Sequence, residues 1–224
     1  MYQPGHGRFR VAEPARQLAE LAAGVPATLV THGPGGFSAS ILPMLFLPGD
    51  GPHGTLRGHV ARGNPQWRAI EAAAGGAVPA AVAALAIFDG ADAYVSPGLY
   101  PEKALTGQVV PTWNYVTVQA HGSIRVHHDA EWLRANVRGL VERHEASLRV
   151  PWSLDDAPAA YIDAQLRAIV GLELLIDRIE AKRKLSQNRS AADVDGVIAA
   201  FLHGTPREQA VAEAMRREPG RHER

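Results

Sequence analysis

The sequence predicts a mainly β fold with flanking helices: an antiparallel sheet or barrel with helices packed outside it. Short apolar runs punctuated by Gly and Pro fill the first hundred residues. A period-two alternation runs unbroken from Trp113 to Val126, and helical spacing recurs afterwards. Strands first and helices later is the order of an antiparallel sheet with helices outside. No strand leads into a GxGxxG or GxxxxGK[ST] loop, so dinucleotide and P-loop folds have no support.

Pro14 to Ala23 reads as a short helix, with Leu18, Leu21 and Ala22 at helical spacing and Gly24 as its stop. Ala27–Thr31 and Phe37–Leu47 read as a hairpin across the turn at 33–36, with Pro43 marking an edge or a bulge. Thr55–Val60 is a third strand. Asn64 caps a helix with Pro65 at its first position, ending at Gly75-Gly76. Val78–Phe88 and Ala93–Val95 read as two further strands. In the long strand, Val116, Val118, Ala120, Ile124 and Val126 share one face, and Tyr115, Thr117, Gln119, His121, Ser123 and Arg125 the other. Asp129 caps a helix through Ser147. Asp156 is expected to cap another, Pro158–Val170, followed by a strand over Leu172–Ile179. Ser190 and Asp193 form a capping-box pattern opening a last helix faced by Val194, Val197, Ile198, Phe201 and Leu202. Residues 1–203 are taken as a single domain, and 204–224 as a charged, mobile tail.

The chain has 224 residues, enough for a core without staples. It has no cysteine, which excludes disulfides, thiolate metal sites and cysteine nucleophiles and suits a cytoplasmic location. Lys plus Arg and Asp plus Glu both count 23, so nucleic-acid binding has no global charge to rest on. The first ten residues do not read as a signal peptide, and no run is long and apolar enough to span a membrane. His127 and His128 are adjacent and face opposite sides of a strand; no HExxH or GxSxG is present, and no metal is expected.

Four segments carry polar chemistry. In 56–67 a strand ends at His59, passes Arg62 and enters a helix at Asn64: a phosphate cradle, or a capped helix with a surface arginine. In 109–116 Trp113 and Asn114 stand at the mouth of the longest strand on opposite faces; an aromatic cover for a heterocycle and plain core packing are both open. Residues 181–190 put four cations within nine positions beside Gln187 and Asn188: a phosphate site, a DNA contact or a solvated loop. Residues 88–103 make a lid, a dimer contact or a plain loop.

Six stretches in order, MYQP (1–4), GHVARGNPQW (58–67), AYVSP (93–97), VPTWNY (110–115), IVG (169–171) and KLSQNRSAADVDGVI (184–198), resemble the PaiB-type family of negative transcriptional regulators that bind flavin mononucleotide (FMN). The resemblance runs from the first residue to about Leu202. It implies a six-stranded antiparallel split β-barrel with C-terminal helices, working as a homodimer with FMN in a groove between subunits. By that resemblance Arg62 and Asn64 meet the phosphate with His59 beside them. Ser38, Ala39 and Ser40 lie along the flavin ring, and Trp113, Asn114, Lys184 and Gln187 complete the groove. Three segments depart from the family pattern: Leu99 stands for a tryptophan, Arg183 for another, and Ala91 for a proline. The function implied is a flavin-binding negative regulator, with DNA contact confined to the 182–189 patch and the arginines of the tail. The alternatives are an FMN-dependent oxidoreductase, for which His59 and Tyr115 are the only acid–base candidates, and a dimeric module without cofactor.

Overall fold

A computed structural model describes residues 1–2, 7–75 and 82–218. Helix α1 is Pro14–Gly24. Strands β1 (Ala27–Gly33) and β2 (Gly36–Leu42) form the expected hairpin, closed by Gly33 opposite Gly36. The expected strand 37–47 breaks at Pro43, and Leu45–Leu47 becomes the three-residue β3. Strand β4 is Thr55–Ala61. Helix α2 is Gln66–Ala74, ended by Gly75 with φ of 60°. It starts one residue after Pro65, which stands at the cap. Strand β5 is Val82–Val95, one strand of 14 residues where two were expected; residues 78–81 of the first lie outside the described residues. Helix α3 is Glu102–Leu105.

Strand β6 (Thr112–His127) keeps the predicted register, with Val116, Val118, Ala120 and Ile124 buried on one face. Helix α4 is Ala130–Glu145, capped by Asp129 accepting from the Trp132 N–H. Helix α5 is Ala159–Arg167, shorter than expected because Ile169 already pairs with Ala61 in strand β7 (Ile169–Lys184). Asp156 does not cap α5; its carboxylate closes a box with Ser153 around a single 3-10 turn. Helix α6 (Ala191–Phe201) is capped by Ser190, but Asp193 turns its carboxylate to the Glu102 N–H at 3.1 Å instead of back to the cap. The tail expected from 204 is in part a helix: α7, Pro206–Arg216, opens with a Thr205–Glu208 capping box and buries Val211, Ala212 and Met215. Residues 219–224 lie outside the described residues.

The strands form one sheet in the order β2-β1-β5-β6-β7-β4-β3, antiparallel at β1–β2, β1–β5, β3–β4 and β4–β7. Six strands have seven residues or more, and β3 is the short seventh. Among the described residues no helix is long and apolar enough to cross a membrane.

The chain divides into two compact units, Met1–Ala12 with Asp89–Thr117 and Ala181–Arg224, and Glu13–Phe88 with Val118–Glu180. The second, larger unit holds β1–β4, α1, α2, α4 and α5. Its core includes Leu18, Leu29, Leu56, Leu172 and Leu174, and α4 and α5 close a cluster of Leu133, Leu154, Ile162 and Leu166. Gly171 lets α4 sit tight on this sheet: a Cβ there would overlap the Trp132 ring. The smaller unit holds α3, α6 and α7 on the ends of β5, β6 and β7. Buried Val211 and Met215 each stabilise it by about 2 kcal/mol.

Candidate functional site

The expected phosphate corner lies in the larger unit, where β4 hands over to α2. Arg62 there is committed to the protein itself. Its backbone N–H donates to the Ala168 carbonyl at 2.7 Å. Its guanidinium donates from Nε to the Arg167 carbonyl at 2.7 Å and from Nη2 to the Ile169 carbonyl at 2.9 Å. The Trp67 indole N–H closes on the Arg62 carbonyl at 3.0 Å. Arg62 thus clamps the β4–α2 turn to the α5–β7 turn.

Asn64 joins the same construction. Its Oδ1 accepts from the Gln66 N–H and its Nδ2 donates to Ser40 Oγ, both at 2.9 Å. Buried Gln66, which the sequence reading left out, donates from Nε2 to Thr31 Oγ1 and to the Leu29 and Ser38 carbonyls. Ser38 and Ser40 therefore face α2. Ala39, between them, points to the opposite, exposed face with Phe37 and Ile41, so the three do not line one wall. His59 shares a face of β4 with Arg57 and sits opposite Gly171. Burial holds its imidazole below the ordinary pKa, and its buried Nδ1 has no hydrogen-bond partner among the described residues.

The other expected residues belong to the smaller unit; strand alternation sorts Trp113, Asn114 and Lys184, while Gln187 follows the end of β7. Asn114 and Gln187 turn inward. Asn114, fully buried, exchanges hydrogen bonds with Ser186 and donates to Met215 Sδ at 3.5 Å. Gln187 accepts from the Leu185 N–H and donates to the Arg183 carbonyl and to Glu218. Trp113 and Lys184 lie on the other face. The Trp113 ring is 44% exposed yet fixed: its indole N–H donates to Asp92 Oδ2 at 3.0 Å, and Arg207 grips both oxygens of Asp92 at 2.6 and 2.9 Å. Tyr94 stands beside it, ring centroids 6.2 Å apart. Lys184 Nζ donates to Thr112 Oγ1 and to the Trp113 carbonyl. Burial, then the charge of Lys182, pushes its pKa down.

Strand β7 runs past the expected end at Ile179 to Lys184, so the first four residues of the 181–190 segment are strand and not loop. Lys182 and Lys184 fall on one face and Arg183 on the other, where it pairs with Glu218 and the Ala214 carbonyl. Arg189 lies over the Tyr100 ring at 4.6 Å. Asp92 and Tyr94 lie in the 88–103 segment that the sequence marks, on one face of β5 by their parity, but nothing in the sequence pairs them with Trp113, and Arg207 lies in the stretch read as a mobile tail. Among the described residues no group of three metal-ligating side chains occurs.

Residues 1–178 match the family described as "Putative FMN-binding domain". The chain belongs to this family. Its relatives include an uncharacterised protein of Emericella nidulans, 36% identical over 183 residues and 73% of each chain. Another is Protease synthase and sporulation protein PAI 2 of Bacillus subtilis, 33% identical over 171 residues, 76% of this chain and 75% of that one. In fold, the chain is similar to a conserved hypothetical protein of Mycobacterium tuberculosis, with a TM-score of 0.53, 13% identity and coverage of 84% and 92%. The fold is that of the family's split barrels, an antiparallel sheet with flanking helices. The family match ends before Lys182 and Lys184.

Proposed function

We propose that the protein binds FMN with its ring system stacked on Trp113, at the seam of a homodimer, and that flavin occupancy governs its action as a negative regulator of transcription. Membership of the family supports the cofactor. The observation that carries the placement is the outward indole of Trp113, held rigid by the Asp92–Arg207 pair with Tyr94 alongside. An exposed aromatic normally gains by burying itself in its own core; one anchored facing outward is prepared for a planar partner. The Lys184 ammonium beside it suits a phosphate-bearing heterocycle. The flavin when bound would supply a redox-active ring; the chain supplies the shelf and its orientation.

Regulation by direct operator contact through 182–189 is disfavoured, because the cations there face rings or a carboxylate within the same unit. The relative of Bacillus subtilis is named Protease synthase and sporulation protein PAI 2, and a regulatory role of this chain is read by analogy with that name. The test is an FMN titration of the full chain and of Trp113→Ala. Loss of one stacking partner weakens binding about tenfold. Equal affinity of the two proteins would remove Trp113 from the site.

A further inference from the structure

Among the described residues, Lys182 is a buried cation without an anion. It is 7% exposed, and its ammonium donates one hydrogen bond, to the Tyr2 carbonyl at 3.2 Å. Three rings surround it: Tyr2 at 5.6 Å, Tyr115 at 5.7 Å and Phe9 at 6.0 Å. The N-terminal segment is brought there by the Arg10–Lys182 bridge and by the Arg183 N–H donating to the Phe9 carbonyl. Two residues on along the strand, Lys184 shares the Tyr115 ring at 6.0 Å. Among the described residues neither ammonium forms an ion pair.

Burying an isolated ammonium is strongly unfavourable, and a second positive charge beside it adds to that. Ring faces attract a desolvated cation more weakly than a paired anion does. That attraction offsets part of the burial cost of one lysine and none of the repulsion between two. The remaining donors of both ammoniums are left for an acceptor of charge near −2. We infer that Lys182 and Lys184 form a site for a phosphate-monoester dianion, with Tyr115 as its floor. This rests on the flavin reading to the extent that the phosphate is that of FMN, since Lys184 holds the carbonyl of Trp113 itself. It places the phosphate at the end of β7, and it gives Arg62 a structural duty only. A phosphate monoester has the matching charge and three oxygens to accept from two ammoniums.

The experiment compares FMN with riboflavin, which lacks the phosphate, on the full chain. FMN is expected to bind about tenfold or more tighter than riboflavin, the worth of one charge-assisted contact. In Lys184→Met and Lys182→Met the ratio of FMN to riboflavin affinity falls to near one. Inorganic phosphate competes with FMN and leaves riboflavin bound. Should Lys182→Met not fold, Lys184→Met and the phosphate competition decide alone. A ratio that persists in Lys184→Met, or that is lost only in Arg62→Met, overturns the site. If neither flavin binds, phosphorus NMR with inorganic phosphate separates the two ideas. Line broadening that Lys184→Met abolishes retains the dianion site and discards the flavin reading; absence of broadening discards the site.

Discussion

Single side chains here are defined by what they are already bonded to. Arg62, Asn64 and Gln66 look alike in sequence, three polar residues around a helix start, yet their hydrogen bonds stitch turns and strands together. Gly171 is one such case. A methyl there displaces Trp132 from its parallel stack on His127, whose centroids are 4.1 Å apart. Gly171→Ala should therefore lower stability by about 1–3 kcal/mol in urea unfolding; an unchanged midpoint would mean the α4 contact is loose. What was legible at this scale came from strand parity. Trp113 and Asn114 on opposite faces follows from period two alone. The partners of Arg62 were not legible, because its acceptors lie 105 and 107 residues away in sequence, and nothing local marks a carbonyl as free.

Among the elements, the strands with alternating burial were readable and their ends were not. The expected strand stops at Ile179, before the charged run 180–184, but Lys182 and Lys184 keep the alternation and turn into an aromatic surround. Charge also concealed α7. Its apolar face is only Val211, Ala212 and Met215, although Thr205-Pro206-Arg207-Glu208 carries the capping-box spelling in plain view. Thr205→Ala should cost about 1 kcal/mol and loosen α7 first. Hydrogen exchange would register that as faster exchange at 206–216 with the larger unit unaffected; uniform acceleration would contradict a local cap.

For the molecule as a whole, two outcomes follow. The outer face of β2 presents Phe37 at 82% and Ile41 at 75% exposure on an edge strand, apolar surface that favours self-association. Phe37→Asp with Ile41→Asp should sediment as a single smaller species at concentrations where the parent self-associates; equal sedimentation of the two proteins would show that this face makes no contact between copies. Stability should also fall on acidification in two stages. His59 is buried neutral with its pKa lowered, so stability declines as pH drops below the unfolded value of 6.5. Glu173 is lowered chiefly by its hydrogen bond to His127, so its contribution is present above 4.5 and lost as pH falls through its folded pKa. Glu173→Gln should flatten the lower stage alone in urea midpoints; a profile unchanged by it would dismiss the carboxylate.

All of this centres on a flavin carried against Trp113, and the visible spectrum of the freshly purified full chain tests that most directly. The account predicts the yellow band of oxidised flavin, with FMN as the released chromophore and the band lost or diminished in Trp113→Ala. A colourless protein that stays colourless after incubation with excess FMN would contradict it.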